Sequence, residues 1–164
     1  MDYLAGRGLD EATIRRFGLG LAPAGWTNLL DWAPSRGFGP AVLDQAGLAV
    51  HQTEAAGPGR YYDRFRGRIM FPLRDNAGRV VGFSGRVFGP VDPAAAKYIN
   101  SPETPLYAKS KLLYGLEAAK SEIRRRDFTL LVEGQMDLLM AHQAGTPNAA
   151  AVSAYRMKSM ASIA

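Results

Sequence analysis

In Leu130-Leu131-Val132-Glu133-Gly134, a carboxylate closes an apolar run and a glycine permits a tight turn after it. Ligands of open α/β sheets bind beyond the carboxyl ends of the strands. A carboxylate in that place suits a metal ligand or a general base for phosphoryl transfer. Asp137 follows four residues later, about one helical turn on. It either approaches the same mouth or caps and solvates its own helix. Glu133 also suits a plain structural role, because the dipole at a helix N-terminus stabilises a carboxylate.

A second set is Tyr62-Asp63-Arg64-Phe65-Arg66-Gly67-Arg68. If this stretch is extended, Arg64, Arg66 and Arg68 share one face. Three guanidiniums on one face repel unless an anion answers them, and phosphate matches the planar fork of arginine. Tyr62 and Phe65 between them suit stacking on bases. The alternative is that Asp63, Asp75 and Glu103 neutralise part of the set in structural pairs. A third set, Lys97-Tyr98-Ile99-Asn100-Ser101-Pro102-Glu103-Thr104, is followed by Lys109 and Lys111. A cation, a ring and an amide together suit a nucleotide or a template phosphate; they equally suit an edge strand guarded by lysine.

Other candidates are weaker. Gly82-Phe83-Ser84-Gly85-Arg86 fits neither a P-loop nor a dinucleotide fingerprint, so its glycines are assigned to hairpin geometry. His51 and His142 stand alone and are expected at the surface. Trp26 and Trp32 are expected in the core.

The elements that position these groups follow from punctuation and periodicity. Asp10 caps a helix through Phe17, which Gly18 stops. Leu19 to Pro23 is extended. Helices are predicted over Trp26 to Arg36 and Pro40 to Ala46, and a loop over Thr53 to Gly59. Ile69 to Arg74 and Arg79 to Phe88 read as a hairpin about the turn Asp75-Asn76-Ala77-Gly78. Gly82 and Gly85 in its second strand imply a bulge or a close backbone approach. A loop over Val91 to Ala96 precedes a short strand, Lys97 to Asn100. A helix from Gly115 to Arg126, a buried parallel strand from Phe128 to Val132, a helix from Gly134 to Ala144 and a parallel strand from Asn148 to Val152 complete the chain. The last strand is expected to be an exposed edge of marginal stability.

Composition narrows the class. The 164 residues are 47% hydrophobic, enough for a buried core. The absence of cysteine excludes disulfides, a cysteine-ligated zinc site and a cysteine nucleophile within this sequence, and fits a reducing cytoplasm. No basic-then-apolar leader and no apolar run of about 20 residues is present, so no membrane partner is expected. Net charge is +5, and between Arg60 and Arg86 there are seven arginines against two aspartates. The whole excess lies in that stretch, the footprint of a polyanion partner or of a solvated basic surface.

Together these segments resemble the RNA-polymerising core of bacterial DnaG-type DNA primases, up to about Ser153. Tyr3 to Leu9 through Ala22-Pro23-Ala24-Gly25-Trp26 resembles the start of that family's N-terminal subdomain. Tyr62 to Asp75, Gly82 to Arg86 and Lys97 to Thr104 match its central motifs in order and spacing. Leu131-Val132-Glu133-Gly134-Gln135-Met136-Asp137 resembles the first motif of a Toprim domain. The resemblance implies an α+β N-terminal lobe over 1–115, the first β-α-β part of an incomplete α/β Toprim fold over 116–153, and a divergent tail over 154–164. It makes Glu133 the Toprim glutamate beside the catalytic metals, with Asp137 a weaker metal candidate. Arg64, Arg66 and Arg86 fall on positions linked to template or nucleotide contact. Lys97, Tyr98, Asn100 and Lys109 fall on the basic ridge beside the site. Family members make short RNA primers on single-stranded DNA from ribonucleoside triphosphates, use Mg²⁺ or Mn²⁺, and work with the replicative helicase.

The sequence departs from that pattern in three places. The family's zinc-binding domain would precede Met1, its Asp-x-Asp motif would follow Val152, and its helicase-docking domain would lie beyond. Leu138 to Ala164 holds no acidic residue, and Ala154-Tyr155 replaces the family's Gly-Thr. Two-metal phosphoryl transfer needs several carboxylates. The expectation is therefore a truncated primase core, inactive alone. Two other readings are a non-catalytic single-stranded DNA-binding module and a different Toprim protein. The stretches before Glu133 argue against the latter.

Overall fold

A computed structural model describes residues 2–52, 60–89 and 95–152. The predicted loop at 53–59, part of that at 91–96, and the divergent tail lie outside them. The chain divides into two units. One draws on Met1–Leu19, Phe71–Val81 and Ala108–Ala164, the other on Gly20–Met70 and Gly82–Tyr107. Among the described residues no helix is long and apolar enough to cross a membrane.

In the first unit, α1 (Asp2–Gly6) and α2 (Glu11–Phe17) precede α5 (Leu116–Arg126), β7 (Leu130–Val132), α6 (Gln135–Gln143) and β8 (Ala149–Ala151). The Asp10 side chain accepts a hydrogen bond from the Thr13 N–H at 2.7 Å and so caps α2 as predicted. Phe17 then reaches Tyr114, with ring centroids 6.4 Å apart, and His142, edge to face at 5.2 Å. Strands β7 and β8 pair in parallel, Leu131 opposite Ala150. All three β8 alanines are fully buried, which suits a strand packed on both α5 and α6. Gly115 has φ 76°, and a Cβ there would sit 2.6 Å from Leu138 Cδ1.

Three expectations need correction here. The stretch before Glu133 is not the buried strand: Phe128, Leu130 and Leu131 remain 57%, 41% and 59% exposed. The burial belongs to β8 instead. Nor is β8 an exposed edge, because Tyr114 closes its other side with two backbone hydrogen bonds to Ala151, at 3.0 and 2.9 Å. His142 is buried rather than at the surface, since α6 turns it inward onto the Ala149 carbonyl at 2.9 Å.

The second unit contains β1 (Gly20–Ala22), α3 (Asn28–Trp32), a 3₁₀ turn (Ala33–Arg36), α4 (Pro40–Gln45), β2 (Ala49–Gln52), β3 (Arg60–Asp63) and β6 (Tyr98–Asn100). Strands β4 (Arg68–Arg74) and β5 (Val80–Val87) carry residues of both units and form the predicted hairpin. Its turn is held by Asp75 Oδ1, which accepts from the N–H groups of Ala77 and Arg79 at 2.9 and 3.0 Å. The sheet order is β1-β4-β5-β6, with β1 on β4 and β6 on β5 antiparallel. A separate ribbon, β2 with β3, is antiparallel. Beside it Ala33, Leu43 and Ala49 form a small core with Leu29, Leu30, Leu48 and Tyr61. The glycines of β5 serve close approach: a Cβ on Gly85 would meet Phe65 Cδ1 at 2.8 Å.

Here the predicted helix Trp26 to Arg36 breaks into α3 and the 3₁₀ turn, with Pro34 early in the turn. Trp26 and Trp32 are not core residues; they are 62% and 54% exposed. The two short pieces bury Ala33 instead.

Candidate nucleic-acid interface

The arginines that follow β3 do not line one face, because the chain leaves the strand after Asp63 and turns before β4 begins. Each finds a different environment. Arg64 donates from Nε and Nη2 to the Asn100 carbonyl, at 3.2 and 3.1 Å. Arg66 donates from Nη1 to the Asp63 carbonyl and lies over the Trp26 ring, 4.1 Å from its centroid. The Tyr62 ring is 5.1 Å from the same guanidinium and meets Trp26 edge to face at 5.6 Å. Arg68 is buried and donates to the carbonyls of Gly85 and Ala96, both at 3.1 Å. Burial, and then the neighbouring Arg66, pull it below the ordinary guanidinium value. Arg68 thus ties strands together, while Arg66 is offered with a tryptophan.

The acids do not divide as the sequence suggested. Asp63 is buried and, among the described residues, pairs with no arginine side chain; Oδ2 and Oδ1 accept from the N–H groups of Leu29 and Leu30, at 2.7 and 3.1 Å. Its backbone N–H donates to the Trp26 carbonyl at 2.7 Å. One residue therefore caps α3, holds Trp26 and receives Arg66. Asp75 does pair with an arginine, Arg79, at 2.7 Å. Phe65 is buried against Phe83 and is no base-stacking ring; centroids are 6.4 Å apart. Trp26, expected in the core, is exposed instead. Its signal was the small, turn-forming run Pro23-Ala24-Gly25 before it.

Arg86 and Tyr98 face each other across β5 and β6, with the guanidinium 5.9 Å from the ring centroid. Lys97 is exposed, and its carbonyl accepts from the Val87 N–H at 3.0 Å. Asn100 is half-buried, and its Oδ1 has no hydrogen-bond partner among the described residues. The second unit thus gathers Arg64 with Asn100, Arg86 with Tyr98, and Arg66 with Trp26 and Tyr62. Lys109 belongs to the other unit, in a 3₁₀ turn over Lys109–Lys111.

Glu133 stands in that first unit between β7 and α6, exposed, with no hydrogen bond or ion pair among the described residues. Asp137 is the third residue of α6, and its Oδ2 accepts from the Gly134 N–H at 3.1 Å. That bond is a helix cap. Glu133 is thus available as a metal ligand while Asp137 is engaged elsewhere. Among the described residues no three His, Asp or Glu side chains group to hold a metal. The donor set does not form a divalent-metal centre by itself.

Comparison with known proteins gives the family. The chain is 48% identical over 151 residues to the DNA primase of Deinococcus radiodurans, covering 92% of this chain and 25% of that protein. The RNA polymerase domain of Mycobacterium tuberculosis primase DnaG, in complex with a double-stranded DNA oligomer bearing a 6-nucleotide overhang, is 39% identical with a TM-score of 0.82. That likeness covers 91% of this chain and 45% of the other. A DnaG primase catalytic domain bound to single-stranded DNA is 42% identical with a TM-score of 0.77, covering 92% of this chain and 44% of the other. The chain thus spans about a quarter of the length of the curated relative it matches. Residues 1–120 match the family described as DNA primase catalytic core, N-terminal domain, and the chain belongs to that family.

Proposed function

We propose that this chain is the template-holding part of a primase catalytic core and contributes one carboxylate to RNA primer synthesis. The observation that carries this reading is the exposed Trp26 with Arg66 stacked 4.1 Å from its centroid, on a chain whose 42% identical relative is bound to single-stranded DNA. An aromatic ring with a guanidinium beside it serves any base and any phosphate, which sequence-tolerant strand binding requires.

In this reading Arg64, Arg66 and Arg86 neutralise template or nucleotide phosphates, with Lys97 extending the basic ridge; Lys109, in the other unit, offers a further cation to nucleic acid. Tyr98 and Asn100 offer a ring and an amide to the same strand. Residues 1–115 form the template-holding subdomain and 116–153 the start of a Toprim fold, whose glutamate is Glu133. Ribonucleoside triphosphates are the substrates and the replicative helicase a partner of the whole enzyme, in the cytoplasm. Mg²⁺ or Mn²⁺ would lie against Glu133 and stabilise charge on the transferring phosphoryl group. The described residues lack the further carboxylates such ions need, so the chain by itself binds DNA without polymerising.

Two measurements on the purified chain test the proposal. Anisotropy of a labelled single-stranded oligonucleotide should rise on addition of the chain and fall back with added salt. No binding at low salt refutes the template role. A template-extension assay with ribonucleotides and Mg²⁺ or Mn²⁺ should give no primers, and primers would refute inactivity in isolation.

A further inference from the structure

The second unit carries an open cleft of about 530 Å³ that no part of the proposed priming reaction uses. Its size falls in the small-molecule range of roughly 300–1,000 Å³. Trp32, Phe65, Met70 and Phe83 are among its walls, and Asp63 is the one charged group. Both Asp63 oxygens are already taken by the Leu29 and Leu30 N–H groups. They have little left for a ligand, yet the carboxylate charge remains and disfavours an anion. The other polar group is Asn28, exposed at the start of α3, whose amide makes no hydrogen bond among the described residues. Aromatic walls, one free amide and one spent carboxylate define a narrow class of occupant. We infer that this cleft is a binding site for an uncharged, planar aromatic molecule carrying one hydrogen-bonding group.

The inference stands apart from the template role, because neither the cleft nor its polar groups depend on DNA. Titrating the whole isotope-labelled chain with 2-naphthol should give saturable shifts centred on Leu29, Phe65, Met70 and Phe83. Naphthalene, which lacks the hydroxyl, should bind several-fold more weakly, and Asn28→Leu should abolish that difference. The anionic 2-naphthoate should bind about tenfold more weakly than 2-naphthol. Filling the space with Ala22→Trp, or independently with Met70→Trp, should raise the dissociation constant for 2-naphthol about tenfold or more. The site is refuted by shifts centred instead on the exposed Phe128 to Leu131 stretch, by no saturation, or by 2-naphthoate binding as tightly as 2-naphthol. If a filling variant fails to fold, the unaltered chain still decides through which resonances move.

Discussion

Arg66 and Trp26 are the side chains on which strand binding should depend most. Trp26 is exposed and Arg66 reaches over it, so Trp26→Ala removes a ring without opening a core. Stacking is worth about 1–3 kcal/mol per base. Trp26→Ala should therefore weaken binding of a labelled oligonucleotide about fivefold to a hundredfold. Arg66→Ala should also flatten the salt dependence, reducing the slope of log affinity against log salt by about 0.7. A Trp26→Ala chain that binds within twofold of the parent removes the ring from the interface.

His142 carries a separate prediction about pH. Burial first, and Arg16 in the same direction, hold its imidazole below the ordinary value, against the opposing pull of the Ala149 carbonyl. A base whose folded value is depressed stays neutral in the fold while the unfolded chain takes up a proton near pH 6.5. Stability is thus full above about pH 6.5 and declines as pH falls toward the folded value. Denaturant titrations at pH 7.5 and 5.5 should show that loss, and His142→Gln should reduce it. An unchanged loss in the variant would assign the effect to other groups.

At the level of elements, Asp63 joins α3 to the end of β3. Its carboxylate caps α3 through two N–H groups and its backbone binds Trp26 and Arg66. Asp63→Ala leaves those helix donors without partners and should cost about 2–3 kcal/mol in urea unfolding. Asp63→Asn, whose amide oxygen still accepts, should recover part of that; a loss below about 0.5 kcal/mol for the alanine would show the cap to be dispensable. Gly115 makes a similar demand on the turn into α5. Its φ of 76° suits glycine, and Leu138 Cδ1 fills the space where a Cβ would go. Gly115→Ala should destabilise by about 1–3 kcal/mol, with a Tm unchanged within error as the contrary result.

For the whole chain, the decisive property is where the fold leaves its positive charge. The sequence places seven arginines between residues 60 and 86. The structure spends Arg68 on strand carbonyls, Arg79 on Asp75 and Arg74 on the Gly78 carbonyl at 2.9 Å. The arginines left for a polyanion are fewer than the sequence count. With Arg64, Arg66, Arg86, Lys97 and Lys109 neutralising about five phosphates, the salt slope for a single strand should be about −3.5. A slope near −5 would mean that the structurally engaged arginines also bind phosphate.

Much of the fold was legible in the residues. The Asp10 cap, the hairpin about Asp75 to Gly78 and the β-α-β order after Gly115 are local, written in capping residues, turn residues and periodicity. So was the place of Glu133, which needs only a strand, a glycine and a helix in succession. Burial was not legible, because it depends on neighbours far along the chain. Tyr114 closes the edge of β8, so small alanines rather than large leucines fill the buried strand. The role of Trp26 was hidden for the same reason. Composition marks tryptophan as a core residue, and only the tertiary fold brings Tyr62 and Arg66 to it while leaving it open to solvent. The sequence by itself determined the family, the order of elements and the carboxylate at Glu133. The hairpin turn engages Arg74 and Arg79 with partners four residues away, whereas only the tertiary structure brings Arg68 to carbonyls 17 and 28 residues distant and so removes it from an anion.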